Sequence, residues 1–185
     1  MKGMVAARWI VLVCVGLGLL GAGCSSDLKP TNAKLEKGLN DYLNGHSECL
    51  FPSGRNFPYE VTPGAASKAD KKRMDALKDA GLLKEEDDFE THVARYTLTP
   101  AGQRFSPRFC YGHKQVSSID GFTPPVQQGN VLQTTVSYHA TMTEIPVWVR
   151  TDQMEAAFPE MAANISGPQP GQIVMGTAGV GWSVR

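Results

Sequence analysis

The sequence predicts an α+β fold in which two helices and a β-hairpin pack with a small antiparallel β-meander. Three observations carry this. Apolar residues recur at helical spacing in two stretches of the first half, a strictly alternating stretch runs from Val131 to Met142, and Gly and Pro punctuate short β-rich segments around it.

Met1 to Gly23 reads as a leader rather than as part of that fold. Lys2 and Arg8 supply a positive start, Trp9 to Leu20 an apolar core, and Gly21-Ala22-Gly23 bring small residues up to Cys24, the order of a secretory signal. A membrane span wants about 20 apolar residues, whereas this core is shorter and is interrupted by Gly16 and Gly18. Leu20-Gly21-Ala22-Gly23-Cys24 resembles the lipobox of bacterial lipoprotein precursors, with Leu one place further from the cysteine than in the commonest form of the motif. The resemblance implies cleavage before Cys24, fatty acylation of that cysteine (palmitate among the chains) and anchoring of the mature chain in a membrane. Ser25 stands where Asp favours inner-membrane retention in many bacteria, which implies the outer membrane, on its periplasmic face. A diacyl chain with an acylated amine supplies enough anchoring for stable attachment. A plain signal peptide, leaving Cys24 an ordinary thiol, is the alternative.

Removing residues 1–23 from a chain of 185 leaves 162, the length of one ordinary domain. Residues 24–31 are expected to form the lipidated cysteine and tether, and 32–185 a single periplasmic domain with a helical half to residue 120 and a β-rich half from 121. The leader contains two of the 18 Lys+Arg and none of the 18 Asp+Glu. A mature chain so nearly balanced gives no sign of a nucleic-acid partner.

The tether is polar and about 25 Å long at full stretch. Asn32 to Asn44 places Leu35, Leu39, Tyr42 and Leu43 on one helical face, with Gly45 as a stop. Pro52, Gly54, Pro58 and Pro63 predict irregular chain from Cys49 to Gly64, with a short extended piece at Tyr59 to Val61. Ser67 and Asp70 read as a capping-box-like start to a helix that carries Met74 and Leu77 inward and ends at Gly81. Leu77 and Leu82 are spaced for the apolar contact of a Schellman turn. Lys84 to Glu90 reads as an acidic loop. Val93 to Leu98 alternates, Pro100-Ala101-Gly102 turns the chain, and Arg108 to Val116 is expected to return antiparallel to it.

The run MDALKDAGLL (74–83), the acidic stretch and RYTLTPAGQRF (95–105) resemble a winged-helix domain over Ser67 to roughly Val116. In that family a helix ending in Gly-Leu-Leu precedes a hairpin carrying a Leu-Thr-x-x-Gly turn. The resemblance implies shape, not DNA reading, because phosphates must be neutralised by cations and Glu85, Glu86, Asp87, Asp88 and Glu90 follow the helix. Lys68, Lys71, Lys72 and Arg73 read as a solvated helix face.

Beyond Pro124-Pro125, Leu132, Thr134, Val136, Tyr138, Ala140 and Met142 share one face of a half-buried strand, and Gln133, Thr135, Ser137 and His139 share the other. Ile145 to Arg150 reads as a second strand, placed near an edge by Pro146. Thr151 or Asp152 caps a short helix through Phe158, stopped by Pro159. Gly167 to Gly171 is a loop, and Gln172 to Val184 a strand or hairpin about Gly179.

Of four cysteines, Cys14 leaves with the leader and Cys24 takes the lipid, so Cys49 and Cys110 remain. In an oxidising compartment their simplest state is a disulfide. His46 with Cys49, and Cys110 with His113, form mirror-image pairs. If the cysteines meet, both imidazoles come with them, and four N/S ligands suit zinc or copper. A metal-binding or redox lipoprotein is therefore the alternative reading. A small hydrolase using Cys110 and His113 needs a free thiol. With no G-x-S-x-G, H-E-x-x-H, P-loop or dinucleotide-binding glycine run, no catalytic residue and no cofactor is expected. Trp148 and Trp182 are candidate anchors for an envelope protein or polymer. The sequence thus points to a non-enzymatic binding or structural module held at the outer membrane by its lipid.

Overall fold

The computed structural model describes residues 28–185 apart from 63, 65, 66, 89 and 91. The leader and Cys24 lie outside the described residues. Helix α1, Asn32–Asn44, starts where the extended Thr31 turns its hydroxyl to accept the Lys34 N–H. Its buried row is Leu35, Leu39 and Leu43, an i, i+4 stripe that leaves Tyr42 on the flank. Tyr42, expected on the buried face, is exposed and stacks on His46 with ring centroids 4.0 Å apart.

Helix α1 packs on a six-stranded antiparallel sheet built from β1 (Ser47–Cys49), β5 (Cys110–Phe122), β6 (Val126–Gln128), β7 (Val131–Thr143), β8 (Gln169–Thr177) and β9 (Ser183–Val184). Spatial order is β1-β5-β7-β8-β9, and β6 continues the line of β5 along β7. The alternation read in Val131 to Met142 is realised: Thr134, Val136, Ala140 and Met142 are buried while their neighbours are only half covered.

A second, three-stranded sheet has the order β2-β4-β3, from β2 (Tyr59–Val61), β3 (Leu83–Asp88) and β4 (Val93–Leu98). Two expectations are corrected here. The acidic stretch is not a loop but strand β3, paired residue for residue with β4 from Leu83↔Leu98 to Asp88↔Val93. Arg108 to Val116 does not return along β4; β5 belongs to the large sheet. Helix α2, Lys68–Asp79, ends as expected: Gly81 at φ +76° lets the Leu82 N–H reach the Leu77 carbonyl and its own N–H reach that of Lys78. Its start differs. Ser67 caps nothing with its side chain and donates instead to the Gly64 carbonyl at 2.8 Å.

The turn at Pro100 is a short helix, α3 (Pro100–Gln103), capped by Thr99. The expected strand at Ile145 to Arg150 is a 3-10 turn at Val147–Val149. Glu144 at positive φ and Pro146, which has no N–H to give a ladder, break the pairing before it begins. Helix α4 (Asp152–Ala157) takes Thr151 as its cap, and Pro159 does not end the helical region but opens α5 (Pro159–Ile165), where its missing N–H costs nothing. Strand β8 already begins inside the expected loop, at Gln169.

Two cores result. Beneath α1, Leu35, Leu39 and Leu43 meet Val116, Val136, Met175 and Trp182. Between α2, α4, α5 and the small sheet, Met74, Leu77, Tyr96, Phe109, Met154 and Met161 are packed out of water. Each core draws on both sides of residue 120.

Candidate functional site

The paired histidines and cysteines converge only in part. β1 and β5 run antiparallel with Cys49 opposite Cys110, and their sulfurs form a disulfide. Neither sulfur is then a thiolate ligand or a nucleophile, so the four-ligand metal reading and the Cys110–His113 hydrolase both lose their sulfur. The histidines also stay apart in role. His46 is held by the last turn of α1, its Nδ1 donating to the Tyr42 carbonyl at 2.7 Å. His113 sits opposite Ser47, with Nε2 3.2 Å from the Thr143 hydroxyl and Nδ1 3.6 Å from Glu144. Among the described residues, no three His, Cys, Asp or Glu side chains group to hold a metal ion.

The two tryptophans differ in exposure. Trp182 is 3 % exposed and belongs to the core under α1, where Gly38 of that helix lies directly on its carbonyl. Trp148 is half-buried and meets Phe105 edge-on at 5.3 Å. The pleat of the terminal hairpin turns Trp182 inward because α1 crosses there, a long-range contact that local spacing does not encode.

The most polar interior feature joins α2 to the small sheet. Tyr96, fully buried, donates to Asp75 at 2.6 Å, accepts from Lys71 at 3.1 Å and lies 3.0 Å from Glu85. Lys71 also reaches Glu85 at 2.9 Å, and Lys78 holds the other Glu85 oxygen. Burial works to raise the Glu85 carboxyl, but the hydrogen bonds from Lys78, Lys71 and Tyr96 outweigh it and hold the group at about 2. Burial raises the Tyr96 hydroxyl, with the bond to Asp75 adding to it. Lys68, Lys71, Lys72 and Arg73 are exposed, as a solvated helix face requires, and Lys71 reaches from that face into this network. Beside it, α2 and α4 enclose a groove of about 520 Å³ lined by Lys68, Lys71, Lys72, Asp75, Asp79 and Asp152. Two of its cations are engaged in structure: Lys71 in the network above, and Lys72, which donates to the Ala156 carbonyl at 2.7 Å. The groove places no nucleophile beside a base.

What remains open is the large sheet's second face. Helix α1 covers the side carrying Val136 and Met175. The opposite side presents Gln133, Thr135, Ser137, His139 and Thr141 of β7, flanked in register by Gln115 and Ser118 of β5 and Gln172 of β8. His139 Nδ1 lies 2.8 Å from Asp120, which also accepts from Ser118 at 2.9 Å, and these bonds hold the Asp120 carboxyl below its usual range. Gln172 donates to Ser137 across the strands at 3.3 Å. A signal for this face stands in the sequence: residues 121–143 and 161–184 contain no Lys, Arg, Asp or Glu, although charged residues make up 19 % of the chain. Apart from the Asp120–His139 pair, the face is rich in neutral donors and acceptors and bare of large aromatics, a surface suited to hydrogen-bonding contacts.

Comparison with known proteins finds no matching family model, no similar curated protein and no similar solved structure.

Proposed function

We propose that this chain is a lipid-anchored protein of the outer membrane, whose domain faces the periplasm and serves as a non-enzymatic binding or structural module for an envelope protein or polymer. The observation that carries the reading is the apolar run ending in Leu20-Gly21-Ala22-Gly23-Cys24, behind the cations Lys2 and Arg8. A disulfide between Cys49 and Cys110 is in keeping with an oxidising compartment. The open sheet face, with the Asp120–His139 pair as its charged feature, is the working surface of this reading. It offers amide and hydroxyl groups in register across three strands, where a polar polymer or polypeptide exchanges hydrogen bonds with water for bonds with protein.

In the same reading α2 and the β3–β4 hairpin act as a winged-helix-like scaffold with no nucleic-acid role. Support comes from Lys71 and Lys78, whose charges are directed at Glu85 rather than outward. Labelling with radioactive palmitate tests the anchor: the wild type takes up label and fractionates with membranes, and Cys24→Ser does neither. A wild-type protein that is soluble and unlabelled would sink the proposal.

A further inference from the structure

The turn between β8 and β9 is unusual for a solvated turn in carrying no polar side chain. Ala178-Gly179-Val180-Gly181 leads directly into the buried Trp182, and Val180 is 98 % exposed. Loops on a water-facing surface are ordinarily rich in polar residues, so an apolar tip held out from the domain needs an apolar neighbour.

Its position indicates which neighbour. Leu132 pairs with Thr177, so the β6–β7 turn and the β8–β9 turn stand side by side at one end of the large sheet. That end also carries Val126, 56 % exposed. The turns and Val126 lie within the two uncharged stretches, 121–143 and 161–184, and the charged side chain beside them is a cation, Arg185, which stands with Val131 against Gly176. The opposite end of the sheet is ionic, with the Glu48–Lys114 pair at 3.0 Å and Glu144 beside His113.

The chain enters from the β9 side. α1 is followed after Gly45 and His46 by β1 on the β5 edge, whereas Gly38 in the middle of α1 touches Trp182, so the helix runs from the β9 side of the sheet toward the β1 side. Leu28, 39 % exposed, precedes the first residue of α1 by four positions. Only four peptide units separate it from Cys24, which confines it to about 14 Å from an acylated cysteine at full extension. A domain so tethered samples the bilayer surface continuously, and of its two sheet ends the one bearing the Glu48 and Glu144 carboxylates is the costlier to bring against lipid.

We propose that the β8–β9 turn, with Val180 at its tip and Val126 beside it, is a lipid-contact surface that seats the domain on the bilayer to which Cys24 is anchored. This rests on the lipoprotein reading. It fixes the orientation of the domain: the β6–β7 and β8–β9 turns face the membrane, and α4, α5 and the ionic end of the sheet face away.

The test uses the mature lipidated protein in vesicles of phosphatidylethanolamine and phosphatidylglycerol, with an environment-sensitive nitrobenzoxadiazole label on Val180→Cys or on Val147→Cys. Both positions are more than four-fifths exposed, at 98 % and 87 %, so neither label threatens the fold. The label at 180 should shift to the blue on reconstitution and be reduced by dithionite several-fold more slowly than the label at 147. Equal reduction of the two labels on protein that floats with the vesicles would overturn the lipid contact and leave the anchor standing. Protein that carries no acyl chain and does not float would overturn the anchor, and the lipid contact with it.

Discussion

At the scale of single residues the chain concentrates its electrostatics on Glu85, a carboxylate whose side chain is only 14 % exposed between Lys71 and Lys78. Its folded pKa is about 2 against an ordinary 4.5. A depressed carboxyl contributes stability that is present above the unfolded value and lost as pH falls toward the folded one. The window is therefore pH 4.5 down to about 2, and the shift corresponds to about 3 kcal/mol. Glu85→Gln should lower the urea midpoint at pH 7 by an amount worth about 2–3 kcal/mol, and the gap between variant and wild type should close toward pH 2. A gap of constant size across that range would mean that the charge on Glu85 contributes nothing. Lys71 has the opposite sign: burial lowers it, the bonds to Glu85, Tyr96 and Asp75 outweigh this, and its contribution is present below its ordinary 10.5 and lost above. The acidic run was legible as composition but not as structure, because the cations that let Glu85 enter a strand come from a helix earlier in the chain.

At the scale of elements, the two short motifs of the α2–β4 region form one interlocking contact. Thr99 donates its hydroxyl to the Gly81 carbonyl at 2.8 Å and its N–H to the Leu82 carbonyl at 3.0 Å, while its hydroxyl oxygen accepts the Gly102 N–H at 3.0 Å. A Cβ on Gly102 would stand 2.0 Å from the Leu82 carbonyl oxygen. The Gly-Leu-Leu helix end and the Leu-Thr-x-x-Gly turn are thus two halves of a backbone contact. Gly102→Ala should destabilise by about 1–3 kcal/mol through forced displacement, and Thr99→Val by about 1–2 kcal/mol through the lost cap. Urea unfolding of both variants checks this, and a neutral Gly102→Ala would show that the turn does not press on the helix end. Elements with their own periodicity or caps were readable: α1, β4, β7 and the end of α2. Those that depend on distant partners were not. β1 is too short to show alternation, α5 hides behind a proline that reads equally as a stop, and the 3-10 turn at Val147 has the β-branched composition of a strand.

At the scale of the molecule, the disulfide defines the architecture. Everything between Cys49 and Cys110 is the small-sheet unit, with β2, α2, β3, β4 and α3, and the bond closes its neck where β1 pairs with β5. The unit is also held from outside, by α4 against α2 and by the Lys72 bond to the Ala156 carbonyl. That leaves the covalent tie to act mainly on the unfolded chain, where a link across 61 residues removes loop-closure entropy worth about 4 kcal/mol. The intact domain should weigh two hydrogens less than its sequence requires, and a Cys49→Ala, Cys110→Ala variant should remain folded at neutral pH with its urea midpoint lowered by that amount. Hydrogen exchange should quicken most in β2 and β4, which lie inside the opened loop, and least under α1, whose core of Leu35, Val136 and Met175 lies outside it. Stoichiometric zinc or copper with both thiols free would instead restore His46 and His113 as ligands and promote the metal-binding alternative.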